Sequence, residues 1–387
     1  MTTAPTTTLK PRRRWLQFSL RTMLVLVLIV SVPLGWVGMQ VRETRRQQAA
    51  VEAIEQLGGS VRCESDETAA TDATVVDLHH RHLTDAGLVH VERLPDVKWL
   101  YLGDTQITDA GLAQLRRLRG LSRLQLGNTG VTDAGLVPLG GLQQLEELDL
   151  SNTHVTDLGL AQLQGLTRVR RLYLDRTAIT DAGLVHLRGL TQLEWLNLSH
   201  TQVADDGLAH LRGLTRLREL LLNDTPVNDD GLVHLKDLTH LWALSLCNTR
   251  VTDAGLEYLQ GLAELRALSL DNTAVSDAGL AHLRGLLPHL MELNLNNTQI
   301  TDMGLTQFPL TELGWLYLAN TAVTDAGLRD LQSSEHLVVV NVANTRVTDA
   351  GVAELRKTSP YVRNTAAAVP TPLAEAQEHP PCRRVPR

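Results

Sequence analysis

The stretch LYLGDTQITDAGLAQLRRL, residues Leu100–Leu118, changes its apolar period partway along. Leu100 and Leu102 alternate with Tyr101, the pattern of a strand with one buried face. Ile107 marks a buried position after a turn. Thr108 and Asp109 then precede Leu112, Leu115 and Leu118, and this spacing of three reads as an amphipathic helix or helical turn. Thr108 is placed to cap that helix, and Asp109 puts a negative charge at the positive end of its dipole.

The same phrase fills most of the chain. VTDAGL begins at Val131 and returns at Val251 and Val323, with near-copies between Leu83 and Val352. Its Asp falls at Asp85, Asp109, Asp133, Asp157, Asp181, Asp205, Asp229, Asp253, Asp277, Asp302, Asp325 and Asp349. The step is 24 residues, apart from one of 25 and then one of 23 around Pro288 and Pro309. The pair restores the phase, so a local irregularity is expected there, not a domain boundary. A fixed period of this length signals a solenoid, in which no unit buries its apolar face alone. The cap position holds Thr, Ser or Asn in every unit except at Ala204. The Gly two residues after the Asp is also constant, at a cost of roughly 1 kcal/mol per helical Gly. Close approach of neighbouring helical turns is the expected compensation.

The pattern L-x-x-L-x-L-x-x-T-x-[VI]-T-D-x-G-L-x-x-L-x-x-L resembles the leucine-rich repeat. It is most similar to the 24-residue cysteine-containing and GALA-like subclass, over about Ala73–Leu355. The resemblance implies an α/β solenoid: a curved horseshoe with a parallel sheet on its concave face and helices on its convex face. It also implies protein partners, no catalytic residues and no cofactor. In place of the family's Asn or Cys, eleven units carry Thr (Thr105, Thr129, Thr153 and so on) and the first carries Arg81. A Thr hydroxyl is expected to serve the same internal hydrogen-bond ladder.

Twenty charge-free residues, Thr22–Val41, lie ahead of the repeats, bracketed by Arg21 and Arg42. A helix of that length reaches about 30 Å, enough to span a bilayer, so one transmembrane helix is expected. No small-x-small cleavage site follows it, which favours an uncleaved anchor over a signal peptide. Five basic residues precede it closely and three follow, which favours a cytoplasmic N-terminus and an array on the non-cytoplasmic side. The expected organisation is a basic tail over 1–21, the anchor over 22–41, a juxtamembrane helix and cap over 42–72, twelve repeats over 73–355, and a disordered tail over 356–387. Within the cap, Val51, Ile54 and Leu57 share one helical face, stopped by Gly58-Gly59.

The chain has 387 residues, 43% apolar but only 3% aromatic, so the core is aliphatic. Net charge is −7; residues 1–46 carry +7 and those from Arg356 onward +4, which leaves −18 for the middle. So acidic an array argues against nucleic acid. Cys63, Cys247 and Cys382 form neither a disulfide framework nor a zinc site. His90, His186, His210, His234 and His282 recur at one helical position, but a single file does not converge on an ion. No phosphate loop, HExxH or nucleophile elbow is present.

Aromatic residues stand out in a Leu-built array. Strand alternation turns Trp99, Tyr101, Tyr173, Trp195, Trp315 and Tyr317 toward the concave face, exposed and suited to anchor a partner. Arg171 is expected to stack on Trp195, with Glu219 on its other side. The expected function is a membrane-anchored, non-catalytic array binding a protein or peptide on this face. The alternative is the substrate-recognition subunit of a ubiquitin-ligase complex, which needs an F-box of roughly forty residues; none is seen between Arg42 and Thr74.

Overall fold

The computed structural model describes residues 20–65, 72–80, 82–94, 96–306, 312–331, 334, 336–359 and 362–364. Arg81 and Pro309 fall outside them. So do the basic N-terminal segment up to residue 19 and the tail from residue 365.

Each repeat forms one coil: a short strand, three residues long from β4 to β13, a tight turn, then a short helix that in most coils opens at the Asp. The strands stack in chain order into one sheet. They are β1 (Ser60–Ser65), β2 (Asp72–Asp77), β3 (Val97–Tyr101), β4 (Arg123–Gln125), β5 (Glu147–Asp149), β6 (Arg171–Tyr173) and β7 (Trp195–Asn197). Then follow β8 (Glu219–Leu221), β9 (Ala243–Ser245), β10 (Ala267–Ser269), β11 (Glu292–Asn294), β12 (Trp315–Tyr317), β13 (Val339–Asn341) and β14 (Arg363–Asn364). From β2 onward the pairing is parallel, as it must be when every coil turns the same way. The first pair, β1–β2, is an antiparallel hairpin.

One continuous core runs from Ala50 to Val362, and nearly all of it is Leu, Val or Ile with no exposure. The Leu residues of each L-x-L strand point into it, as do those of each helix. Between strand and helix every coil turns at one left-handed residue, such as Asp104, Asn128 or Asn152 (φ 58°, 58° and 49°). Asn and Asp tolerate this conformation better than most residues. Their side chains also form a ladder: the amide of Asn320 donates to Asn297 Oδ1 at 2.8 Å, and that of Asn344 to Asn320 Oδ1 at 2.9 Å. The next residue is the repeated Thr. Its hydroxyl donates within its own coil, as from Thr129 to the Leu126 carbonyl at 2.6 Å. The Thr row therefore tightens the turn of each coil and does not link one coil to the next.

The repeated Asp makes that link. Asp109 Oδ1 accepts from the Thr132 backbone N–H at 2.8 Å, and its Oδ2 accepts from the Thr132 hydroxyl at 2.7 Å. The same pair recurs from Asp157 to Thr180 and from Asp229 to Thr252. The constant Gly follows from this contact. A Cβ on Gly135 or Gly183 would overlap the clamping carboxylate of Asp109 or Asp157. Close approach was expected here, but the neighbour is the Asp side chain of the preceding coil.

The N-terminal region departs from expectation. Among the described residues, no helix is long and apolar enough to cross a membrane. Thr22–Val41 lies within a single 37-residue helix, α1 (Leu20–Gln56), not in an anchor separate from the cap helix. Nothing between Val41 and Val51 interrupts the helix: the run Arg42 to Gln48 is polar but free of Pro and Gly. Several side chains of the charge-free segment lie outside the described residues. At its far end α1 covers the first coil with Ala50 and Ile54, both fully buried, and with Val51, partly buried against the core, while Leu57, 42% exposed, lies just past the helix with its side chain near Gly87. Gly58, at φ 82°, ends the helix, and the Gly59 N–H donates to the Ile54 carbonyl at 3.0 Å.

The other end also extends further than expected. Residues 356–358 complete the helix Asp349–Thr358, and Arg363–Asn364 add β14 beside β13. The irregularity around Pro288 takes the form of a 3-10 turn at Leu287–His289.

Candidate functional site

Two side chains per strand face away from the leucine core, at the positions flanking the central Leu. Strand register puts the first set in one row: Trp99, Arg123, Glu147, Arg171, Trp195 and Glu219 on β3–β8. Neighbours along such a row are about 4.8 Å apart. The row alternates in character, and its members touch. The Arg123 guanidinium lies 4.2 Å above the Trp99 ring. Glu147, only 4% exposed, sits between Arg123 and Arg171, 3.9 Å from each.

Tyr173 and Trp195 come together edge to face, ring centroids 4.1 Å apart, a favoured geometry for aromatic pairs. They head a second apolar cluster on the open face with Leu221, Ala243, Ala267 and Trp242. Trp242, set just before β9, joins this cluster although alternation had left it out. Trp99 pairs with Val75 and Tyr101 in a smaller cluster at the N-terminal end. Trp315 and Tyr317 lie five strands beyond Trp195, on β12.

The expected exposure of these rings is not found. Tyr173 is 1% exposed, Trp99 and Trp195 6% and Tyr317 8%, while Tyr101 and Trp315 are half-buried. Neighbouring strands lie so close that wide rings cover one another and the sheet backbone. Arg171 lies beside Trp195 in the register as expected, yet its guanidinium is set toward Glu147; the cation over an indole is Arg123. Arg123 and Glu147 occupy the same alternating positions, but in the sequence nothing distinguishes them from ordinary solvated charges.

Burial leaves polar atoms stranded. Among the described residues, the indole N–H groups of Trp99 and Trp195 and the Tyr317 hydroxyl are buried without a hydrogen-bond partner. Such groups cost about 1–3 kcal/mol each. Burial pushes the Tyr317 hydroxyl up to about 12, with Glu292 adding to the rise, and it raises Tyr173 too. Glu219 is shifted up by burial, partly offset by Arg171 and Arg218.

On the helical side the histidine column is half-buried, and two of its members lie against arginines. Arg188 Nη2 lies 2.6 Å from His210 Nδ1, and Arg212 Nη2 lies 2.5 Å from His234 Nδ1. Desolvation, then the neighbouring guanidinium, lowers both histidines below their ordinary value. Among the described residues, no group of three or more His, Cys, Asp or Glu is placed to hold a metal ion.

A family pattern described as Leucine rich repeat matches residues 119–179 and 143–203, and a second one matches 287–308. The fold is similar to that of an internalin (inlF) from Listeria monocytogenes, with a TM-score of 0.57 and 22% identity, over 79% of this chain and 92% of that one. An internalin C2 (inlC2) from the same species is 27% identical over 57% of this chain and 92% of that one, with a TM-score of 0.44. No curated protein matches the chain. Leucine-rich repeats are thus matched over residues 119–203 and 287–308, and the fold of the chain is the repeat solenoid also seen in an internalin.

Proposed function

We propose that this chain is a non-catalytic protein-binding array whose partner docks on the sheet face, the concave side implied by the family. One observation carries the reading: the row Trp99–Arg123–Glu147–Arg171–Trp195–Glu219, in which a run of charges of both signs lies between two buried rings. A solenoid needs only leucines inside and polar groups outside. A buried Glu between two arginines and stranded indole N–H groups cost stability, and a ligand that accepts hydrogen bonds would offset that cost. The face comprises Trp99, Tyr101, Arg171, Tyr173, Trp195, Glu219, Trp315 and Tyr317, with Arg123 and Glu147 added.

The test is capture of partners on the immobilised full chain, compared with the variant Arg123→Gln, Glu147→Gln, Arg171→Gln. The change at Glu147 keeps size and loses charge, and those at Arg123 and Arg171 keep a polar amide but shorten the side chain and lose the charge. A partner held equally by both would move the site off this row.

Membrane attachment through Thr22–Val41, with the array on the non-cytoplasmic side, belongs to the same proposal. Its support is the charge-free run itself, together with the exposure of Val27, Ile29, Val32, Leu34 and Met39, each at least 60% exposed. Alkaline extraction of membranes tests it: release of the chain into the soluble fraction would end this part of the proposal. The ubiquitin-ligase alternative has no support. The residues ahead of the array are the second half of α1 and the β1–β2 hairpin, where an F-box would have to be helical. The 24-residue cysteine-containing and GALA-like subclass rests on the period and on the helices opposite the sheet.

A further inference from the structure

The left-handed turn residues that edge the sheet are mostly Asn, and in the Asn stretches each side chain both donates and accepts. The amide of Asn152 donates to Asn128 Oδ1, and that of Asn272 to Asn248 Oδ1, each at 2.5 Å. The ladder departs from Asn at two places. At the N-terminal end His80 Nδ1 pairs with Asp104 Oδ2 at 2.7 Å. Further on, three successive coils carry Arg176, His200 and Asp224, at φ 56°, 56° and 55°. Asn, Asp and His tolerate this conformation, and Arg is not among them. Arg176 is therefore held there against its backbone preference, and such strain collects at sites with a task. A guanidinium only donates and a carboxylate only accepts, so the residue between them decides the pairing. His200 Nε2 lies 3.4 Å from Arg176 Nη2 and 3.5 Å from Asp224 Oδ2. One nitrogen is thus shared almost equally by a cation and an anion, and it can serve only one of them. With a lone pair it accepts from Arg176; with a proton it donates to Asp224. Solvent reaches the ring, since the side chains of His200 and Asp224 are 39% and 37% exposed.

We propose that Arg176, His200 and Asp224 form a proton-operated contact at the edge of the sheet face. With His200 neutral, the Nε2 lone pair holds the Arg176 guanidinium and the ring proton sits on Nδ1. With His200 protonated, Nε2 becomes a donor, pairs with Asp224 and repels Arg176, which is released. Of the side chains at this edge, histidine is the type that changes charge between about pH 5 and 8. The groups packed around the ring leave the choice to these three. From the preceding coil, Asp175 adjoins Arg176, but its Oδ1 accepts from Asn197 Nδ2 at 3.0 Å. From the following coil, the Asn223 carbonyl takes the His200 backbone N–H at 2.7 Å, and the Asn223 side-chain oxygen accepts from Ser245 and Cys247. The ladder members on either side, Asn152 and Asn248, are neutral, as are Ala178, Gln202 and Pro226 two residues beyond the three. The three lie on the same coils as Tyr173, Trp195 and Glu219. Their use in binding rests on the docking face proposed above: a partner there meets a tied guanidinium at neutral pH and in acid a released one, open to a carboxylate of that partner.

Nuclear magnetic resonance of the full chain, labelled with nitrogen-15 in His and Arg, tests this without a partner, so its outcome is independent of the docking face. His200→Gln and Arg176→Ala identify the two sets of signals, and the array amides are the control for folding. At pH 8 the His200 ring is expected in the Nδ1–H tautomer, with rotation of the Arg176 guanidinium about Nε–Cζ slowed. At pH 5 both ring nitrogens carry protons, and that rotation should quicken at least about threefold, the scale of a surface contact. The exposed Arg250 should rotate at one rate throughout. Arg176→Ala removes the donor and should move neutral His200 to the Nε2–H tautomer, facing Asp224. An Nε2–H ring at pH 8 in the unaltered chain overturns the proposal, because the nitrogen would already belong to Asp224. So does an Arg176 rotation rate that is the same at pH 8 and pH 5, or an Nδ1–H tautomer that survives Arg176→Ala.

Discussion

At the scale of single residues, the repeated Asp carries the stack, and one coil shows what it contributes. Asp181 finds only the backbone N–H of Ala204, at 2.6 Å, because Ala204 has no hydroxyl. Ala204→Thr should restore the second bond and stabilise the array by about 0.5–1.5 kcal/mol, read as a higher urea midpoint at unchanged slope. A loss of stability would show that the Asp–Thr pair is not what joins coils. Gly183→Ala puts a methyl group against the Asp157 carboxylate and should destabilise by about 1–3 kcal/mol. Combined with Asp157→Ala, the effects should be non-additive, because the collision is gone; simple additivity would separate the two residues. The clamp also sets an acid limit. The Thr348 backbone N–H, then its hydroxyl, hold Asp325 below the ordinary 3.8. A carboxylate so depressed contributes stability that is present above the unfolded value and lost as pH falls through the folded one. Unfolding in acid should therefore steepen below about pH 3.8, and Asp325→Asn should flatten that part of the profile. Asp and Gly were visible in the sequence as fixed columns, but their contact was not. It joins residues 25 to 27 apart in different coils, so no single coil displays it, and the sequence points the Asp only to its own helix.

At the scale of elements, the alternation in LYL and the triple spacing of Leu112, Leu115 and Leu118 marked strand and helix in every coil. Those patterns are set by burial, and burial is the same in each unit. The elements that were missed are the ones outside the repeat. β1 has no second apolar row to announce it; Val61 and Cys63 alternate too briefly. Its hairpin with β2 gives the sheet an antiparallel edge that α1 then covers through Ala50 and Ile54. Ile54→Ala should cost about 2–5 kcal/mol, with amide protection lost first in β2 and β3. Equal loss along the whole array would mean that the coils unfold as one unit and that the cap has no local role. On the helical side, Arg188→Ala should raise the titration midpoint of His210 toward its ordinary 6.5, measured by NMR, because the guanidinium is one of the two groups of causes that lower it.

At the scale of the whole molecule, twelve near-identical coils give a long sheet whose inner side is uniform and whose open side is not. The inner side was legible because leucine recurs. The open side was legible only in part. Alternation placed Trp99, Tyr173 and Trp195 correctly and the register brought Tyr173 to Trp195, but their burial depends on neighbours from other coils. Strand register, not sequence order, makes Arg123–Glu147–Arg171 a continuous charged group between two indoles. Its carboxylate is buried between arginines 3.9 Å away, so the group costs desolvation energy rather than holding the stack together, and that separates a binding role from a structural one. The measurement that decides is the affinity of a captured partner for the unaltered chain and for the variant Arg123→Gln, Glu147→Gln, Arg171→Gln, taken with the thermal transition of each. The predicted result is a loss of about 2 kcal/mol or more in binding with the transition unmoved or raised. Equal affinity in the two proteins, or a binding loss matched by an equal loss of the folded state, would contradict the assignment of this face as the docking surface.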